Sequence, residues 1–226
     1  MRIALLSDIH GNVTALRAVV AALPAVDMVL HAGDAVGYFA HGDAVCDLLQ
    51  SMEARCIAGN HDRFLSVPPG DPNPLLRRSL DMTHALTGEN ARNWLASLPC
   101  SLRLPCGPRL VRLHHGSPWD PDAYVHQDAD RERFAGLDAD IVVLGHTHRP
   151  LLFQAGRTLV INPGSVGLPR DGDRRAAFAV VDTESMTATF GRASWDAAPE
   201  LAAVTPWGLR QSLARHVAPW ESEGQG

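Results

Sequence analysis

Several short apolar runs along this chain end in glycine and polar residues, and this pattern constrains the fold most. One run, residues 141–144, is followed directly by Gly145-His146-Thr147-His148. A β-branched run too short for a helix predicts a buried strand, so both imidazoles stand on the loop that leaves its carboxyl end. A His-x-His pair alone is as compatible with packing or a surface position as with metal binding. The rest of the chain has to decide.

Predicted strands and helices alternate in the first part of the chain. Asn12 is a predicted cap for a helix that ends before Pro24, and Asp43 is a predicted cap for a second helix. Before, between and after these two helices, strands are predicted at residues 3–6, 26–30 and 55–58. Such alternation is typical of parallel βαβ units.

Hairpins replace this alternation in the later part of the chain. Helices are predicted at residues 75–86, 88–96, 128–137 and 209–217, and paired strands at 102–113, 151–161 and 177–190. An α/β fold with mixed sheets and helices outside accommodates both halves. We expect one domain over residues 1–226, with residues 221–226 as a flexible tail.

Composition excludes several classes of function. The chain has no lysine, so a P-loop lysine, a Schiff-base lysine and a Ser-Lys dyad are impossible. A net charge of -5 gives no nucleic-acid footprint. No apolar stretch approaches the ~20 residues of a membrane span, and we expect no signal peptide before the first strand. The four cysteines have no C-x-x-C spacing, and we expect reduced thiols in a cytoplasmic protein.

Five predicted strands end in side chains that suit metals. These side chains are Asp8, His10, Asp34, Asn60, His115, His146 and His148. The carboxyl ends of strands in α/β sheets face a common crevice, so these loops can converge. Carboxylate, imidazole and amide oxygen without thiolate favour Mn, Fe, Zn, Co or Ni. Seven donors exceed one tetrahedral site, whereas two ions that share a carboxylate would use them well.

The five clusters resemble the motifs of the calcineurin-like metallophosphoesterases, in that family's order. They read Asp8-x-His10, Gly33-Asp34, Gly59-Asn60-His61-Asp62, His115-Gly116 and Gly145-His146-x-His148. The segment Asn162-Pro163-Gly164-Ser165 further resembles the small bacterial and archaeal phosphodiesterase branch. The resemblance implies a four-layer sandwich of two mixed β-sheets flanked by helices.

The resemblance also implies a dinuclear centre of divalent transition-metal ions, with Mn as the first choice. One ion would be held by Asp8, His10, Asp34 and His148, and the other by Asp34, Asn60, His115 and His146. Asp34 would bridge them, and a hydroxide between the ions would attack a phosphodiester or phosphomonoester. Because neighbouring strand residues face opposite ways, we expect His115 and not His114 at the centre.

Other site residues are assigned from the same motifs. His61 is expected to assist the leaving oxygen, or alternatively to orient the ligands from behind. Candidate substrate contacts are Asn60, Tyr38, Arg170 and, more weakly, His41; an arginine fork suits phosphate. The expected substrate is a small phosphate ester, and the oligomeric state is left open.

Two departures from the family pattern narrow the expected substrate class. The Asp-Arg-Gly that follows Gly-Asp in protein phosphatases is absent after Asp34, and Asp62 stands where they have glutamate. Hydrolysis of phosphoproteins is therefore disfavoured, and His61 has no identified acidic partner. Two alternatives remain: a catalytically silent scaffold that binds protein on the same fold, and a metallohydrolase acting on a non-phosphate ester.

Overall fold

The computed structural model describes residues 1–70 and 72–217. The strands are β1 Arg2–Leu6, β2 Met28–His31, β3 Arg55–Cys56, β4 Ser101–Cys106, β5 Arg109–His114, β6 Ile141–Val143, β7 Pro150–Ala155, β8 Thr158–Pro163, β9 Ala176–Asp182 and β10 Thr187–Ala193. The helices are α1 Val13–Ala22, α2 Gly42–Ser51, α3 Asn60–Phe64, α4 Pro74–Leu86, α5 Glu89–Ser97, α6 Arg131–Ala135, α7 Ala198–Ala203 and α8 Arg210–Val217, with a 3₁₀ turn at Thr205–Trp207.

The strands form two mixed five-stranded sheets. The first has the order β10-β9-β1-β2-β3, in which β1, β2 and β3 are parallel and β9 is antiparallel to both neighbours. The second has the order β4-β5-β6-β8-β7, with β5, β6 and β8 parallel and antiparallel strands at both edges. The predicted mixed-sheet sandwich is confirmed.

Period-two alternation explains how the sheets stack. In β1, Ile3 and Leu5 pack into the core between the sheets, whereas Ala4 and Leu6 pack against the helices outside. In β6, Ile141 likewise faces the inter-sheet core. Its neighbours Val142 and Leu144 face the outer layer around α6. Helices therefore cover both sheets, which gives four layers.

Several predicted element bounds are wrong in instructive ways. His41 and not Asp43 occupies the cap position of α2, and the Asp43 carboxylate instead accepts the Gly88 backbone N–H. The helix predicted at 128–137 shrinks to α6, which Asp130 caps. Helices α3 and α7 were not predicted, because five or six residues show too little periodicity.

Two further predictions concern the C-terminal tail and membrane-spanning segments. The tail predicted at residues 221–226 lies outside the described residues. Across the described ranges, no helix combines the length and the apolar character that crossing a bilayer requires.

Candidate metal centre

The loops that follow five strands bring the seven predicted side chains together. Within these loops, donor atoms of Asp8, His10 and His148 lie within 4.8 Å of one another, as do those of Asp34, His115 and His146. His10, Asp34 and His61 form a third, overlapping group under the same limit. The Asn60 Oδ1 lies 3.0 Å from the His115 Nε2. The convergence predicted from the strand ends is therefore present in the structure.

The backbone at this centre is unusual. Five of the seven residues have left-handed φ angles: Asp8 (53°), His10 (56°), Asp34 (61°), His146 (69°) and His148 (58°). Non-glycine residues rarely adopt this region, and such strain clusters at functional sites. Hydrogen bonds between the loops hold it, such as those from the backbone N–H of Asp8 to Gly33 O and of His10 to Asp34 O.

Three of the histidines present the same nitrogen to the centre. The Nδ1 atoms of His10, His115 and His148 lie 3.2, 2.8 and 2.6 Å from the carbonyl oxygens of Val36, Ala32 and Leu168. Since a carbonyl can only accept, each Nδ1 carries the proton and donates it. Each Nε2 therefore points at the centre, which is how metal-binding histidines are usually oriented.

His146 is oriented the opposite way. Its Nε2 lies 3.0 Å from the carbonyl oxygen of Asp122, to which it donates, so Nδ1 is left for a ligand. The ring of Tyr124 stacks on it with a centroid distance of 4.2 Å and an 8° tilt. Neither Tyr124 nor Asp122 belongs to a periodic sequence pattern, because both lie on an irregular loop.

Asp8 and Asp34 each have one carboxylate oxygen that accepts no hydrogen bond from the described residues. Asp8 Oδ2 accepts hydrogen bonds from Ser7 Oγ and from the backbone N–H of His146. Asp34 Oδ1 accepts one from the backbone N–H of His61. Asp8 Oδ1 and Asp34 Oδ2 are buried and accept no hydrogen bond within the described chain. Buried unpaired polar atoms are costly and need a reason.

The same two oxygens lie close to the Nε2 atoms of three histidines. Asp8 Oδ1 lies 3.3 Å from His148 Nε2, and Asp34 Oδ2 lies 3.3 Å from His115 Nε2 and 3.7 Å from His10 Nε2. His10 Nε2 and His148 Nε2 are 3.0 Å apart. With both Nδ1 protons engaged, these two nitrogens face each other as lone pairs. Cations between such atoms would relieve the repulsion, so the residues fit divalent metals.

Burial and neighbouring charges set the ionisation of the centre. Burial lowers the pKa of His10 and His148 well below the usual histidine value, which keeps both neutral as ligands must be. Burial raises the pKa of Asp8 to about 7. Burial also disfavours the charged form of His115, but the charges of Asp34 and Asp8 and the hydrogen bonds of this ring together outweigh burial and raise the pKa of the imidazole to about 9.

His61, Tyr38 and Arg170 border the centre. The His61 ring lies 4.7 Å from the His10 ring and 4.7 Å from the Tyr38 ring, centroid to centroid. The Arg170 backbone N–H donates to His148 O over 3.2 Å. Burial raises the pKa of the Tyr38 hydroxyl, and a hydrogen bond from Arg170 opposes this rise. The structure thus brings two of the predicted substrate contacts to the rim.

Two neighbouring histidines do other things. His41 Nδ1 lies 2.7 Å from Glu200 Oε2, so this side chain is held by a buried carboxylate and is not retained as a substrate contact. His114 ends β5 and, among the described residues, belongs to none of the groups of possible metal donors; burial lowers its pKa to about 4. His115 does belong to one of these groups, and its role as a metal ligand stays a prediction.

Asp62 supports the centre from behind, which the sequence did not indicate. Its carboxylate accepts the backbone N–H groups of Asp34 (2.8 Å), Gly59 (2.8 Å) and Val36 (3.1 Å). It thus ties the loop after β2 to the loop after β3. In the sequence, Asp62 stood out only because protein phosphatases have glutamate at this position.

We expect Asp62→Asn to destabilise the fold by about 1–3 kcal/mol, because one backbone N–H would face an amide NH₂. Misplacement of Asp34 should also lower kcat/KM by about 10–100-fold, as loss of an outer partner of a metal ligand usually does. Urea unfolding and steady-state kinetics measure both effects. A variant that matches the parent protein in both would contradict this role.

Comparison with known proteins identifies relatives of the chain. The model of the calcineurin-like phosphoesterase superfamily domain matches residues 1–186. A probable metallophosphoesterase from Methanothermobacter thermautotrophicus is 28% identical over 193 residues, covering 83% of this chain and 90% of the relative. The crystal structure of a metallophosphoesterase from Sphaerobacter thermophilus is similar with a TM-score of 0.80 and 29% identity, covering 96% and 97% of the two chains. A hypothetical protein from Pyrococcus horikoshii shares the fold, with a TM-score of 0.85 and 21% identity over 95% and 96%.

Proposed function

The chain belongs to the calcineurin-like phosphoesterase superfamily, and we propose that it is a dinuclear, metal-dependent hydrolase of a small phosphate ester. One observation carries the proposal. Two buried carboxylate oxygens, on Asp8 and Asp34, accept no hydrogen bond from the described residues and face the Nε2 atoms of histidines whose Nδ1 atoms donate to backbone carbonyls.

The donors divide into two sets that share Asp34. We assign Asp8, His10 and His148 to one ion and Asn60, His115 and His146 to the other, with Asp34 between them. The absence of thiolate from both sets favours Mn, with Fe, Zn, Co or Ni as the alternatives. When bound, two such ions would polarise the phosphoryl oxygens and supply a nucleophile from water at neutral pH.

The chain's own side chains account for binding and for proton transfer. Arg170 and the Asn60 amide would hold the phosphoryl oxygens, while Tyr38 closes one side of the site. His61 would give a proton to the leaving oxygen. A Cβ placed on Gly37 would lie 2.5 Å from His61 Nδ1, so that nitrogen faces backbone and Nε2 is the atom that delivers the proton. The backbone N–H of His61 donates to Asp34 Oδ1, and this hydrogen bond holds His61 beside the Asp34 carboxylate.

The alternative of a silent scaffold predicts that ligands have been lost. All seven donor positions carry metal-binding side chains, and they converge. This favours an enzyme over a protein-binding scaffold.

Metal removal and reloading test the proposal. We expect metal-free protein to be inactive on bis-p-nitrophenyl phosphate and p-nitrophenyl phosphate, and Mn to restore turnover of at least one. p-Nitrophenyl acetate serves as the control for a non-phosphate ester. Protein that binds no metal and turns over neither phosphate ester would contradict the proposal. Turnover of the acetate alone would favour the other class of metallohydrolase.

A further inference from the structure

A basic cavity of about 300 Å³ adjoins the metal centre. Its lining includes Arg149, Arg170, Arg174, Arg215 and His216. Arg149 directly follows the metal-centre residue His148, and Arg215 comes from α8. Three separate parts of the chain therefore place arginines around one space.

Arg170 is the shared wall between this cavity and the metal centre. Its backbone N–H donates to His148 O over 3.2 Å, and its side chain lines the cavity. On the side of the metal centre, the Arg170 side chain hydrogen-bonds the hydroxyl of Tyr38, and this bond opposes the rise that burial causes in the Tyr38 pKa. On the other side, burial and then the charges of Arg170, Arg215 and Arg174 lower the pKa of His216. The same guanidinium is thus close to both compartments.

The acidic residue of the cavity lining, Asp173, is engaged by arginines that do not all belong to the lining. Asp173, a lining carboxylate, is bound at 2.7 Å by Arg175, whose hydrogen bond lowers the pKa of that carboxyl to about 2. Arg192 also lies 3.7 Å from it. Within residues 1–70 and 72–217, no carboxylate forms an ion pair with Arg149, Arg170 or Arg215.

We propose that this cavity is a second anion subsite, which binds a second phosphoryl group of the substrate while the first lies at the metal centre. Guanidinium forks match phosphate oxygens geometrically, and several of them around one space favour a multiply charged group. The inference deepens the proposed function and rests on it: the substrate class becomes a small ester with two phosphoryl groups.

Binding of inorganic pyrophosphate to metal-free protein tests the subsite without catalysis. By isothermal titration calorimetry at fixed ionic strength, we expect Arg215→Gln to weaken binding about tenfold, since a charge-assisted hydrogen bond is lost. Arg215→Lys should recover part of this loss. Arg210→Gln removes the same charge from the same helix outside the cavity lining, and we expect it to bind as the parent protein does. Thermal melting checks that all variants fold.

Kinetics extend the test to the substrate. With Mn-loaded protein, the ratio of kcat/KM for adenosine 3′,5′-bisphosphate to that for adenosine 5′-phosphate should exceed one and fall about tenfold in Arg215→Gln. Equal pyrophosphate affinity in Arg215→Gln and parent protein would overturn the inference. Citrate binding with the same affinity and the same dependence on Arg215 would overturn its assignment to phosphate. If Arg215-dependent pyrophosphate binding is found but no phosphate ester is hydrolysed, the subsite stands and the proposed function fails.

Discussion

Asp34→Asn is expected to lower kcat/KM for any phosphate ester that the parent protein hydrolyses by at least about 10³-fold. The expected loss exceeds the 10–100-fold typical for outer partners of metal ligands, because this carboxylate would hold both ions. Asp34 Oδ2 lies 3.3 Å from His115 Nε2 and 3.7 Å from His10 Nε2, between the two donor sets. Asparagine keeps the shape but removes the negative charge.

Metal content separates this explanation from simple misfolding. Elemental analysis should give two ions per chain for the parent protein and fewer for Asp34→Asn, with a similar melting temperature. Asp138→Asn is the matched control, since this carboxylate is exposed and pairs only with the surface residues Arg103 and Arg157 among the described residues. Full activity of Asp34→Asn with two bound ions would rule out the bridging role.

His61→Ala should have an effect that depends on the leaving group. General acid catalysis contributes about 10²–10⁴-fold, so kcat for an alkyl phosphate ester should fall within that range. A p-nitrophenolate leaves without a proton, so kcat for its ester should fall much less. The difference between the two substrates measures proton donation by the imidazole.

The same variant tests whether His61 is a ligand. Its ring lies in the third group of possible metal donors, together with His10 and Asp34. If His61 acts as the acid, His61→Ala keeps two ions per chain. Loss of an ion would assign the residue to the metal shell, and equal kcat losses for both esters would argue for an orienting role.

Most of the fold was accessible from the sequence, because its signals are local and periodic. The short apolar runs of β1 and β6 predicted strands that the structure contains. The Asn12 side chain caps α1 as predicted, accepting the Ala15 N–H over 3.0 Å. Predicted helix ends were wrong where a tertiary contact replaced the expected local one. The Asp43 carboxylate, for example, accepts the Gly88 backbone N–H and does not cap α2.

For the candidate site, only the set of residues could be predicted from the sequence. The sequence predicted which side chains would gather, but not how each is aimed. The left-handed φ of His148, the Nδ1 proton directed to Leu168 O and the reversed ring of His146 depend on backbone atoms distant in sequence. The support from Asp62 arises in the same way, since three backbone N–H groups from two loops meet its carboxylate.

Anomalous scattering from crystals of Mn-loaded protein tests the central claim most directly. We expect two Mn peaks ~3.5–4 Å apart, one on each side of the Asp34 carboxylate. Asp8 should lie beside one peak and Asn60 beside the other. A single peak, or two peaks that do not share Asp34, would contradict it.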